Sequence, residues 1–126
     1  MAVKIESIKG HWDARGLVFE PVKRDQLAYQ QNMHVVVSAP GAVRGNHYHL
    51  QGTEIIAITG PSLVRIKEND QIRDVKIHEN EIFAFTFPPG ISHAIQNTGK
   101  EAHVMAAFNT LTHDPNHPDT VEDILI

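Results

Sequence analysis

From Met33 to Phe108, short apolar runs rich in β-branched and aromatic residues alternate with turn formers at steady intervals. Met33-His-Val-Val-Val-Ser38 is broken by Pro40-Gly41, Glu54-Ile-Ile-Ala-Ile-Thr59 by Gly60-Pro61, and Ser62-Leu-Val-Arg-Ile-Lys67 by Glu68-Asn-Asp70. Gln71 to His78 ends at Glu79-Asn80, and Ile82-Phe-Ala-Phe-Thr-Phe87 ends at Pro88-Pro-Gly90. Ile91 to Asn97 then leads through Thr98-Gly-Lys100 to Ala102 to Phe108. Strands of this length and spacing predict an all-β sandwich or barrel. At 126 residues the chain is read as a single domain, able to bury a core without disulfides or a structural metal.

The flanks are less regular. Val3 to Ile8 and Leu17 to Glu20 read as strands with a turn-like Gly10 to Gly16 between them. Val22 to Asn32 reads as a short helix or an irregular link. The tail His113-Asp-Pro-Asn-His-Pro-Asp119 excludes a central strand, and Thr120 to Leu125 fits a helical turn or a terminal strand. The predicted organisation is a barrel core at about 33–109, with N-terminal strands over 1–20 and a C-terminal tail over 110–126 packed on it.

Composition excludes several classes. There is no cysteine, so thiolate zinc sites, redox motifs and disulfide frameworks are ruled out. A net charge of −4 without a basic block argues against nucleic acid as the main partner. No segment reads as a membrane span, and Met-Ala-Val-Lys-Ile-Glu lacks the apolar stretch of a signal peptide, so the expectation is a cytoplasmic protein. Ile55 and Ala57 on one face, and Ile56 and Ile58 on the other, make one strand apolar on both sides; Ile82 to Phe87 behaves likewise. A small barrel has one filled interior, so a homodimer is expected to cover the outer face.

Nine histidines are the unusual count. His47 and His49 are two apart, which puts both on one face of a strand. Gln51-Gly52 supplies a turn, and Glu54 opens the following strand, so a hairpin can bring the three side chains to one point. Downstream, Pro88-Pro-Gly90-Ile-Ser-His93-Ala-Ile-Gln-Asn97 offers a fourth group.

The two stretches together, G-x5-H-x-H-x4-E-x5-G over Gly41 to Gly60 and P-x-G-x2-H-x3-N over Pro88 to Asn97, resemble the two motifs of the cupin family in order and spacing. The first is one residue short before its closing glycine, and Ile82 stands where the second usually begins with glycine. The resemblance implies a double-stranded β-helix, the cupin jelly roll, whose pocket holds a metal on His47, His49, Glu54 and His93. Such a donor set suits one divalent transition metal, zinc first, with iron, nickel, copper or manganese as alternatives.

Arg44-Gly-Asn-His-Tyr-His49, the Ser38-Ala-Pro-Gly41 entry and the ending Asp114-Pro-x-x-Pro-Asp-Thr120 are similar to the cupin half of capsular-polysaccharide enzymes acting on UDP-activated 4-keto sugars. That half is a metal-bound epimerase fused to a reductase domain. Asp13-Ala-Arg-Gly16, Phe19-Glu20 and Val43 to Tyr48 also resemble the dTDP-4-dehydrorhamnose 3,5-epimerases, which work without metal. There the residue matching His47 is the general base and the one matching Arg44 contacts the nucleotide. His47 is therefore a ligand or a base. If it holds a metal its lone pair is committed, and the expectation favours the ligand.

The implied function is an epimerase or isomerase acting on a nucleotide-activated 4-keto sugar in surface-polysaccharide synthesis. The alternatives are a metal-dependent dioxygenase and a non-catalytic sugar-binding cupin. Epimerisation beside a ketone needs a base, an electrophile and an acid. Candidate bases are His34, His103 and Tyr48; Arg44 and Tyr48 are candidate substrate contacts, although Tyr48 alternates with the ligands and should point away. Arg15 follows the logic of Arg44 with less support. Trp12 is expected in the core or an interface, Asn97 in a turn, and His11, His78, His113 and His117 in solvent.

Overall fold

In the computed structural model, which describes residues 2–126, the chain forms twelve strands and one short helix. They run β1 (Lys4–Ser7), β2 (His11–Asp13), β3 (Gly16–Val18), α1 (Arg24–Leu27), β4 (Asn32–Ser38), β5 (Val43–His49), β6 (Glu54–Thr59), β7 (Ser62–Glu68), β8 (Gln71–Ile77), β9 (Ile82–Phe87), β10 (Ser92–Asn97), β11 (His103–Asn109) and β12 (Thr120–Glu122). Two five-stranded antiparallel sheets, ordered β1-β9-β6-β11-β4 and β12-β5-β10-β7-β8, face one another as a double-stranded β-helix. The expected strands from β4 to β11 are all present. The turn-like stretch at Gly10 to Gly16 is instead the hairpin β2-β3, and the tail ends in a strand, β12, on the edge of the second sheet. Among the described residues no helix is long and apolar enough to cross a membrane.

The core lies between the sheets. Ile56, Ile58, Phe85, Phe87, Met105 and Ala107 from the first sheet meet Val64, Ile66, Ile77 and Ile95 from the second. At roughly 25 cal/mol per Å² of apolar surface, such an interior is the main stabilising term. The opposite faces of β6 and β9 do not await a second chain: Ile55, Ala57 and Ile82 are buried within one molecule. Leu17 of the N-terminal hairpin reaches Ile82 beside Gly10, which places that hairpin on the outer face. The argument for a dimer from these residues therefore falls away. Exposed apolar surface lies instead on the edge strand β4 and its neighbour, at Met33, Val35, Val37 and Val104. Trp12 is half-exposed, so it is not a core residue.

One irregularity governs the site. Along β5 and β10, His47 faces His93 and Gly45 faces Ala94, so Asn46 is the extra residue of a β-bulge. Gly45 has φ +89° and Asn46 φ +56°. A Cβ on Gly45 would stand 2.7 Å from the His93 carbonyl oxygen, so glycine is demanded twice, by backbone and by space. The Asn46 amide oxygen accepts from the backbone N–H of Leu125 and Ile126, and its carbonyl accepts from Asp123. The Gly-Asn pair thus bends β5 and anchors the C-terminal segment.

Gly41 also has positive φ, +78°, but open space around it. Gly41→Ala should therefore cost about 1 kcal/mol through backbone strain alone, and Gly45→Ala about 2–3 kcal/mol because strain and the β10 contact add. Denaturant unfolding of both variants measures the difference; equal losses would show that the approach to β10 carries no energy.

Candidate metal centre

His47 and His49 come from β5, Glu54 opens β6, and His93 lies on β10 beside His47. One ligand atom from each lies within 4.8 Å of the others, a grouping that could hold a metal ion. His49, Glu54 and His93 are buried and His47 is half-buried. His93 has no freedom: its ring stacks on Phe87 at 4.0 Å between centroids, and Nδ1 donates to the Ile91 carbonyl at 3.1 Å. That hydrogen bond leaves the Nε2 lone pair of the neutral ring aimed at Glu54 Oε1, 3.0 Å away. His49 Nε2 lies 3.3 Å from the same oxygen, and both of its ring nitrogens are buried without a hydrogen-bond partner.

Lone pairs and a carboxylate converging in a buried space repel unless positive charge sits among them, and each orphaned polar atom costs about 1–3 kcal/mol. A proton supplies that charge in part; a divalent cation supplies it to all four groups at once. Three imidazoles and one carboxylate suit zinc and its neighbours rather than calcium. The residues fit the metal that the motifs imply.

Two chambers meet at this cluster. The outer, of about 670 Å³, is bounded by Asn32, His34, His49, Gln51 and the tail from Leu111 to Thr120. The inner, of about 320 Å³, is largely apolar, lined by Val36, Ile56, Ile95, Met105 and Ala107, with Arg44 among its walls. His34, His47 and Glu54 belong to both. Arg44 and His47 are three residues apart and would point to opposite faces of a regular strand. The extra residue Asn46 brings them to one chamber.

Other expected residues lie elsewhere. His103 lines neither chamber: its Nε2 meets Ser62 Oγ at 3.0 Å at the far end of β11, and burial lowers its pKa. It is not placed to act as the base. Tyr48 pairs with Val121 and lines neither chamber. Arg15 is fully exposed and bonded to Asp13. Asn97 is the turn residue expected, its amide donating to the Ser38 and Glu101 carbonyls and accepting from Gly99. His113 and His117 are exposed, yet both line the outer chamber, a placement that spacing alone did not reveal. Asp119 was missed as well; its carboxylate accepts from the Gln51 and Gly52 N–H groups at 3.0 and 2.9 Å, beside His49. Its signal was the turn at Gln51-Gly52, whose two free amides need an acceptor.

The titrations differ within the cluster. Burial, with His93 nearby, lowers His47 to about 4, against a partial opposing pull from Glu54. Burial also pushes His49 down, but Glu54 and Asp119 outweigh it and leave His49 above its usual value. Burial raises the Glu54 carboxyl, and the adjoining His49 and His93 imidazoles, when protonated, more than reverse this and hold it below the ordinary carboxylate range.

A search of curated protein sequences finds no match to the chain. A family model described as the polysaccharide biosynthesis C-terminal domain matches residues 11–121. Among solved structures, the chain is similar to the QdtA 3,4-ketoisomerase from Thermoanaerobacterium thermosaccharolyticum, in complex with TDP, with TM-score 0.72 and 14% identity over 96% of this chain and 87% of that one. It is similar to ChmJ, a 3'-monoepimerase from Streptomyces bikiniensis in complex with dTDP-quinovose, with TM-score 0.71 and 17% identity over 95% and 68% of the two chains. The capsular polysaccharide assembling protein CapF from Staphylococcus aureus matches with TM-score 0.68 and 24% identity over 94% of this chain and 33% of its own. At these identities the likeness establishes the fold.

In metal-free protein, an NMR titration should find His49 protonating above the usual imidazole value and His47 only near 4. His47 is depressed on folding, so its contribution to stability is complete above about 6.5 and lost as pH falls through about 4. His49 has the opposite sign: its contribution is present below about 6.5 and lost as pH rises through its raised value. His47→Gln should accordingly flatten the acid side of the stability profile while leaving the alkaline side in place.

Proposed function

The chain belongs to the polysaccharide biosynthesis C-terminal domain family, and on that premise we propose that it is a metal-binding cupin enzyme, an epimerase or isomerase of a nucleotide-activated 4-keto sugar in surface-polysaccharide synthesis. The observation that carries this reading is the position of the His47, His49, Glu54 and His93 cluster where two chambers meet, one walled by the tail and the other by core side chains and Arg44. The solved neighbours named as a 3,4-ketoisomerase and a 3'-monoepimerase share this fold, and both were seen with thymidine nucleotides.

Zinc is the first choice for the ion, held by those four side chains, and it would supply a Lewis acid for the keto oxygen of the sugar. His47 serves as a ligand in this reading, so the proton at the carbon beside the ketone goes to another residue. His34 is the group we assign: it stands on β4, at the wall common to both chambers, outside the ligand set. An imidazole there can take the proton and, in an isomerisation, deliver it to the neighbouring carbon. Arg44 is assigned to the diphosphate. Among the described residues it is the one arginine or lysine lining either chamber, and a guanidinium meets phosphate oxygens through paired hydrogen bonds. The apolar walls of the inner chamber exclude water beside the reacting carbon.

Metal analysis should find one divalent ion per chain, and UDP- or dTDP-4-keto sugars should take up deuterium from heavy water when the loaded protein is added. His34→Gln should slow that exchange about 10²- to 10⁴-fold, and Glu54→Ala should abolish both metal retention and exchange. No uptake of added metal would overturn the metal assignment. No exchange with any such sugar would overturn the epimerase, and oxygen consumption dependent on Fe(II) would replace it with a dioxygenase.

A further inference from the structure

The two buried imidazoles of the cluster differ in how their outer nitrogens are held. His93 Nδ1 donates to a backbone carbonyl, that of Ile91. His49 ends β5, where the chain leaves the sheet, and its Nδ1 is buried with no hydrogen bond. The group beside it is Asp119, whose Oδ2 lies 3.5 Å away. That carboxylate is itself held rigidly: Oδ1 accepts from Gln51 N–H at 3.0 Å and Oδ2 from Gly52 N–H at 2.9 Å. The Asp119 carbonyl accepts from Leu50 N–H at 2.8 Å. Glycine at position 52 leaves the necessary room, because a Cβ there would stand 2.9 Å from Asp119 Oδ2 and 2.5 Å from Asn109 Oδ1.

We propose that Asp119 is a positioning residue for His49, drawing its Nδ1–H outward so that the Nε2 lone pair faces Glu54, and tying the tail that closes the outer chamber to the metal centre. A ligating histidine ordinarily gives its other N–H to a carboxylate or carbonyl, which fixes the ring and raises its basicity. Asp119 does for His49 what Ile91 does for His93. Each carboxylate oxygen accepts two hydrogen bonds, so the bonds from the turn leave a lone pair for the imidazole. The three residues Gln51, Gly52 and Asp119 thus work as one device, in which the turn orients the carboxylate and the carboxylate orients the ligand. The inference rests on His49 being a ligand, as read above.

Two measurements test it and separate the two claims. Nitrogen-15 NMR of metal-free protein at pH 8 should show His49 as the Nδ1–H tautomer, and Asp119→Asn should lose that preference, with Asp119→Glu restoring part of it. Cobalt(II) titration should show Asp119→Asn binding about 10- to 100-fold more weakly than the unaltered chain. Thr110→Ala is the control. Thr110 Oγ1 accepts from Thr53 N–H at 3.1 Å in the same connection but does not touch His49, so its cobalt affinity should change less than about threefold, within a single neutral hydrogen bond. An Nε2–H tautomer in the unaltered chain would overturn the proposal. So would an Asp119→Asn variant with unchanged cobalt affinity, or a Thr110→Ala variant equally weakened. If the unaltered chain takes up no cobalt while its His49 tautomer still depends on Asp119, the positioning role stands and the metal reading fails.

Discussion

A buried carboxylate sets the terms of this structure. Glu54 is 4% exposed at the first position of β6, and its Oε1 is shared by His49 and His93. An isolated charge there would cost far more than the domain could spare, because desolvation of an ion in a protein interior amounts to several kcal/mol even after relaxation. Partners must therefore be held in place by other elements. β5 delivers His49 and β10 delivers His93, and Phe87, stacked flat on His93, ties the cluster to the apolar core. The two sheets meet through polar groups at one end of the barrel and through Ile, Val and Phe at the other. The site is thus a condition of the fold at this end, and no loop added afterwards would reproduce it.

Much of this was legible beforehand because strand alternation is a short-range rule. The period of two in β5 put His47 and His49 together, turn formers marked nearly every strand boundary, and the paired motifs placed His93 opposite. What failed had causes outside that rule. His103 looked suitable as a strand histidine near the end of the sheet, but its position along β11 places it by Ser62, at the end away from Glu54, which pairs with Asn109. The double-faced apolar strands were read as needing a second chain, since the N-terminal residues gave no sign that their hairpin would lie over the outer face. Arg44 was expected to contact the substrate, and on a regular strand it would face away from His47. Only the bulge, with Gly45 and Asn46 both at positive φ, reconciles the two.

The tail is the part that patterning describes least and the site uses most. Its prolines and turn formers excluded a central strand over 113–119 and suggested solvent for its histidines, and His113 and His117 are indeed exposed. Yet the segment leaves β11 at Asn109, directly opposite Glu54, and returns to pair with β5 through β12, so its ends are fixed on both sides of the cluster. A segment pinned in that way must cross the mouth of the barrel. Its course follows from the pairing of its ends, and those long-range pairings have no local signature in the sequence.

The cupin fold hosts many chemistries, so the choice among them rests on how charge is distributed around the His47, His49, Glu54 and His93 cluster. Both chambers share His34, His47 and Glu54; the outer adds the carboxylates of Asp114 and Asp119, whereas the inner adds Arg44 and apolar side chains. A dianionic diphosphate entering past the tail would meet two carboxylates, a repulsion of the order of 1 kcal/mol for each close pair even in water. Entry from the Arg44 side meets the one fixed cation instead. The sugar would then reach the cluster from the apolar side, with the nucleotide outward beyond Arg44 and the tail on the opposite face. Under the proposed function, His34, which borders both chambers, would in that orientation stand beside the reacting carbon rather than beside the phosphates. The same distribution bears on His47. A half-buried imidazole kept neutral by burial and by its neighbours presents a lone pair at all ordinary pH values. One of its ring nitrogens lies within 4.8 Å of ligand atoms of Glu54, His49 and His93, a grouping that could hold a cation.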